Sequence, residues 1–80
     1  MKIYEAVVLR FQEICKERGM KYNELARCAG ITPSTIYSMM KSSRKDLSII
    51  TVKKLCDGLE ISMAEFFTSK IFDNLELEIE

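Results

Sequence analysis

Residues 22–41 run Tyr22-Asn23-Glu24-Leu25-Ala26-Arg27-Cys28-Ala29-Gly30-Ile31-Thr32-Pro33-Ser34-Thr35-Ile36-Tyr37-Ser38-Met39-Met40-Lys41, and their spacing decides the architecture. Leu25, Ala26 and Ala29 fall on one side of a short helical stretch with Glu24 and Arg27 on the other. Gly30 follows as the residue best able to take a left-handed C-terminal conformation. Thr32 is placed to cap a second helix with its hydroxyl, and Pro33 suits that helix's first position. Three connecting residues, Gly30-Ile31-Thr32, leave room only for a tight crossing. Leu25 and Ala26 then meet Ile36 and Met39 or Met40, and the small Ala26 allows close approach.

Outward from this pair the pattern remains helical. Ile3, Val7, Phe11 and Ile14 recur at three- and four-residue spacing, predicting a first amphipathic helix from Ile3 to Arg18 that ends at Gly19. After the polar loop Ser42 to Asp46, Ser48 caps a stretch whose apolar side is Ile49, Val52, Leu55, Cys56 and Leu59. Ser62 with Glu65 three residues later forms a capping box ahead of Phe66 and Phe67. The fold class expected is all-α, five helices over residues 3 to 70. The last stretch, Leu75-Glu76-Leu77-Glu78-Ile79-Glu80, alternates with a period of two, which fits a strand or a frayed tail. The expected division is one domain over residues 1–70 and an acidic, apolar tail over 71–80.

Composition narrows the function. The 80 residues hold 12 Lys and Arg, 12 Asp and Glu, and neither His nor Trp. Histidine acid–base catalysis and histidine metal ligation are excluded by count. Hydrophobic residues at 48% and charged residues at 30% describe a chain that folds rather than one that stays disordered. Cys15, Cys28 and Cys56 are too few and too far apart for a disulfide framework or a C-x-x-C pair, and are read as core or half-core thiols in a reducing compartment. The longest apolar stretch near the N-terminus, Ala6 to Leu9, is too short for a signal or a membrane span, so a cytosolic protein is expected. Neutral total charge conceals polarity along the chain. Residues 1–70 carry all 12 bases against eight acids, a net +4, whereas residues 71–80 carry Asp73, Glu76, Glu78 and Glu80, a net −4.

Two short helices joined in this way make a helix-turn-helix. Residues 20 to 67, with Leu25-Ala26, Gly30-Ile31, Ser34-Thr35-Ile36 and the ending Leu59-x-Ile61-Ser62-x-x-Glu65-Phe66-Phe67, resemble the Cro/repressor type, or xenobiotic-response-element family, of helix-turn-helix proteins. With the first helix included, the resemblance covers residues 3 to 68. It implies a five-helix domain that binds operator DNA, commonly as a two-fold dimer, with the third helix in the major groove. Carried over by position, the base-facing sites are Thr32, Pro33, Ser34, Tyr37 and Ser38. Tyr22, Lys41, Arg44 and Lys45 fall where the family tends to touch phosphate.

Three departures qualify the match. Tyr22 replaces a frequent Gln at the start of helix 2, so a phosphate contact there falls to its hydroxyl or to local amides. Glu60 replaces a Gly that often follows helix 4. Cys15 and Met40 stand where the family often pairs a buried Arg with a Glu; both charges are lost together, a change that repacks a core without breaking it.

The function expected is a DNA-binding transcriptional regulator, a small repressor reading duplex DNA as a homodimer, with no enzymatic activity and no cofactor. Helix 3 offers no Arg, Asn or Gln between Pro33 and Met40, so bidentate base readout is unavailable and DNA shape must carry part of any preference. A rival reading is a protein-interaction module of the same fold that sequesters another regulator. For the tail there are likewise two readings, a disordered acidic end or a segment whose apolar side is buried against a second copy through Phe66, Ile71, Phe72, Leu75, Leu77 and Ile79.

Overall fold

A computed structural model describes residues 1–41 and 47–79. Five α-helices follow in order: α1 (Ile3–Arg18), α2 (Tyr22–Ala29), α3 (Pro33–Met40), α4 (Ile49–Gly58) and α5 (Met63–Phe66). A 3-10 turn, Lys70–Phe72, ends the body. The expected polar loop, with Arg44 and Lys45, lies outside the described residues.

The glycine stops act as the sequence predicts. Gly19 and Gly30 adopt φ of 61° and 69°, and beyond each the chain folds back: Met20 N–H donates to the Cys15 carbonyl at 2.8 Å and Ile31 N–H to the Ala26 carbonyl at 2.9 Å. Glu60 occupies the same left-handed region with φ of 58°, a conformation that costs a side-chain-bearing residue about 1 kcal/mol or more. Ser48 and Ser62 cap α4 and α5 by accepting from the Ile50 and Glu65 amides, each at 3.0 Å.

One core receives a stripe from every helix. Val8, Phe11, Leu25, Ile36, Met39, Leu55, Cys56, Leu59 and Phe66 are all fully buried. The Phe11 and Phe66 rings stack at 4.3 Å between centroids, and Phe67 and Phe72 close the cluster at 4.8 and 5.8 Å from Phe66. Gly58 marks where α4 crosses α2 most closely, since a Cβ there would lie 2.9 Å from the Ala29 backbone nitrogen. From α1, Arg10 donates to the Phe66 carbonyl at 2.8 Å and Arg18 to the Leu59 carbonyl at 2.7 Å, so one helix satisfies the ends of two others.

Several expectations need correcting. Phe66, read as a contact for a second copy, is enclosed in its own chain and has no surface to offer. Ile3 and Ile49 carry apolar side chains at helix-stripe spacing, yet Ile3 is 37% and Ile49 63% exposed, because each sits at a helix start where the stripe runs off the end of the core. Cys28, read as a core or half-core thiol, is exposed. No strand forms among the described residues. The tail instead folds back over the start of α1: Glu76 N–H donates to the Met1 carbonyl at 2.9 Å, Lys2 Nζ donates to the Leu77 carbonyl, and Ile3 N–H donates to a Glu78 carboxylate oxygen at 3.2 Å. The Glu76 carboxylate meets the Met1 ammonium at 2.5 Å. Anionic side chains at a helix N-terminus satisfy open amides and oppose the positive end of the helix dipole, which explains why an acidic tail settles there.

Candidate nucleic-acid interface

The outward side of α3 is built by the same periodicity that buries its inner side. Ile36, Met39 and Met40 point into the core, so Pro33, Ser34, Tyr37, Ser38 and Lys41, spaced by three and four, are left on the opposite face. All five are exposed. Two side chains of α1 hold the far end of this helix: Tyr4 donates its hydroxyl to the Met39 carbonyl at 2.8 Å, and Gln12 donates Nε2 to the Met40 carbonyl at 3.4 Å. The near end is fixed by the turn from α2. The outward face is therefore carried on a helix pinned at both ends.

Thr32 stands at the cap position with extended backbone, followed by Pro33 at the first helical residue. Its hydroxyl does not accept from a backbone amide as the sequence reading expected. It lies 2.9 Å from the Thr35 hydroxyl and 3.4 Å from that of Ser34. Side chain–side chain bonding among three neighbouring hydroxyls has displaced the usual cap. No acidic residue sits in the first turn of α3, so the positive end of its dipole is not neutralised locally.

Tyr22 opens α2 and is half-buried. Its ring meets that of Tyr37 edge-to-face, with centroids 5.5 Å apart and planes at 71°. Both rings border an open recess of about 420 Å3 shared with Gln12, Cys15, Lys16, Met20 and Lys21. The structure thus brings Tyr22 beside the α3 face, and it adds Lys16 and Lys21, to which the sequence assigns no contact. Their signal was present: Lys21 immediately precedes Tyr22, and Lys16 sits four residues after Gln12 on α1. Cys15 forms part of the recess floor, where burial pushes its thiol pKa up against a smaller opposing pull from Arg18. Burial likewise raises Cys56, with Asp57 adding to it. Neither thiol has the lowered pKa of a reactive cysteine.

The tail residues are divided. Ile71, Phe72 and Leu75 are half-buried on the body, whereas Leu77 and Ile79 are 73% and 79% exposed. Ile49 and Ile50 on α4, at 63% and 65%, are further exposed apolar side chains that the sequence reading missed. Among the described residues no group of three or more Cys, Asp or Glu is placed to hold a metal ion. Among the described residues no helix is long and apolar enough to cross a membrane.

Comparison with known proteins follows the same lines. A family model, the Cro/C1-type HTH DNA-binding domain, matches residues 10–70. Among solved structures, the wild-type restriction-modification controller protein C.Esp1396I superposes with a TM-score of 0.76 at 26% identity, over 88% of this chain and 86% of that one. A tyrosine-to-phenylalanine mutant of the same controller gives a TM-score of 0.76 at 28% identity, over 84% and 86%. No curated protein matches the chain.

Proposed function

The chain belongs to the Cro/C1-type helix-turn-helix DNA-binding family, and on that premise we propose that it is a small repressor which reads operator DNA as a homodimer through α3. It is a DNA-binding regulator. The observation that carries it is the division of α3, whose apolar residues are buried while Pro33, Ser34, Tyr37, Ser38 and Lys41 stand exposed together on a helix fixed at both ends.

In this reading Thr32, Pro33, Ser34, Tyr37 and Ser38 meet base edges. Hydroxyls donate to bases or phosphates, and Pro33 and the Tyr37 ring pack on thymine methyl groups. Lys41 serves the phosphate backbone, as do Arg44 and Lys45, with Lys16 and Lys21 beside the Tyr22 recess adding to the positive border. Two copies place their α3 helices about 34 Å apart, in successive major grooves on one face of the duplex. Leu77 and Ile79, with the half-buried Ile71, Phe72 and Leu75 behind them, are the residues we assign to the contact between copies. The tail's Glu76 and Glu78 are engaged at the start of α1, away from any role at phosphate. The protein acts in the cytoplasm and performs no chemistry on its DNA.

An anisotropy titration against a selected duplex tests the reading. Affinity should fall steeply between low and moderate salt, because phosphate contacts release counterions. Lys41→Ala should weaken binding uniformly across sequences, whereas Ser34→Ala and Tyr37→Ala should change which sequence is preferred. Salt-insensitive binding, or none to any duplex in a genomic selection pool, would remove it.

A further inference from the structure

The sequence reading gives Tyr22 a phosphate contact through its hydroxyl or local amides; the structure places its ring where a different task is open to it. Tyr37 is 46% exposed and is the sole aromatic residue of α3. An exposed aromatic ring ordinarily samples several rotamers, and each must be given up when the ring docks on a partner. Its outward neighbours Ser34 and Ser38 are too short to restrain it. Tyr22 is not: it is half-buried at the first position of α2, packs on the hydrophobic core, and meets the Tyr37 ring at 5.5 Å and 71°. That geometry lies within the favoured edge-to-face range for aromatic pairs. A ring anchored to one helix of the motif thus braces the most exposed ring of the other.

We propose that Tyr22 is a positioning residue for base recognition: it holds the Tyr37 ring in the orientation that packs on a thymine 5-methyl group, and so sets the preference for thymine at that base pair. The inference rests on α3 being the reading helix. It differs from the direct role in what the Tyr22 hydroxyl contributes, which is nothing, and in what its ring contributes, which is selectivity rather than general affinity. The ring carries no charge, so counterion release is unaffected by its loss.

Replacing single thymines by deoxyuridine in the selected duplex removes only the methyl group and isolates this term. With wild-type protein, one substitution in each half-site should weaken binding by about three- to tenfold, the range of an apolar base contact held by an aromatic pair. Tyr22→Phe should retain that ratio, whereas Tyr22→Leu should reduce it to within about twofold of unity while weakening binding to the deoxyuridine duplex by no more than about threefold. Tyr22→Leu combined with Tyr37→Leu should lose no more discrimination than Tyr37→Leu alone, because the two rings act as one unit. Circular dichroism checks folding of each variant, and Tyr22→Met, which also lacks a ring, carries the same measurement if Tyr22→Leu unfolds. An undiminished thymine-to-deoxyuridine ratio in the ringless variant overturns the proposal, as does a Tyr22→Phe variant that loses as much affinity as Tyr22→Leu on both duplexes. A wild-type protein that binds no duplex overturns the DNA-reading premise as well, whereas the first two outcomes leave that premise standing.

Discussion

Gly58→Ala sets two well-understood effects against each other. In a freely exposed helix the change favours folding by up to about 1 kcal/mol, since alanine loses less backbone freedom than glycine. At Gly58 the added Cβ would lie 2.9 Å from the Ala29 nitrogen, 3.0 Å from the Cys28 carbonyl carbon and 3.1 Å from the Ala29 Cα. Ordinary contact begins near 3.5 Å, so a relief of about 0.5 Å is needed. None of the three atoms is the tip of a flexible side chain. All belong to the last turn of α2, whose Leu25 and Ala26 are fully buried. The end of α4 must therefore retreat, and Leu55, Cys56 and Leu59, all at the centre of the core, retreat with it. Overpacking of this kind costs about 1–3 kcal/mol, which set against the propensity gain leaves a net loss of up to about 2 kcal/mol. For a domain of this size that lowers Tm by up to about 15 °C. Urea denaturation followed by circular dichroism should show a lower midpoint with an unchanged slope. Gly19→Ala provides the control, because its φ of 61° strains an alanine although nothing lies within 4 Å of the new Cβ. A midpoint for Gly58→Ala at or above wild type would refute the close-crossing argument.

Other outcomes follow from the caps, the thiols and the tail. Ser48→Ala and Ser62→Ala should each cost about 1 kcal/mol in chemical denaturation, whereas Thr32→Ala should cost less than half of that, since its hydroxyl caps no backbone amide. With iodoacetamide, Cys28 should label at least about a hundredfold faster than Cys15 and Cys56, which become accessible only when the core opens; mass spectrometry of partially labelled protein distinguishes them. The Met1 ammonium hydrogen-bonds to the Glu76 carboxylate and, with a smaller contribution from Lys2, holds its pKa below the usual range. Because the folded value lies beneath the unfolded one of about 4.3, the stabilisation is present at neutral pH and is lost as pH falls through the lowered value. Thermal melts at pH 7 and pH 3 should therefore show a smaller acid-induced loss for Glu76→Gln than for wild type, and identical losses would refute the contact.

The helical body was legible because its signals are local. Gly19, Gly30, the Ser48 cap and the Ser62–Glu65 capping box each fix a boundary within a few residues, and the stripe Ile36, Met39, Met40 orients α3 without knowledge of its neighbours. What sequence could not give depends on contacts distant along the chain. Ile49 fits the stripe of α4, and only the position of α1 and α2 decides that the core ends before it. Leu75 to Ile79 alternate as a strand would, yet no partner strand exists among the described residues and the open amides at the start of α1 offer better bonding. Phe66 reads as surplus aromatic surface until Phe11, more than fifty residues earlier, is seen to stack on it. The Tyr22–Tyr37 pair is of the same kind, with both residues identified singly and their meeting set by the crossing of two helices.

Arg10 and Arg18 give α1 the character of a gauge. Eight residues at 1.5 Å each set their anchor points about 12 Å apart along the axis, with about 80° of rotation between them. One residue inserted between the two would turn the second guanidinium by about a further 100°, carrying it away from the Leu59 carbonyl while Arg10 still held that of Phe66. Divergence in this lineage should accordingly proceed by substitution within residues 10–18 and not by change of length.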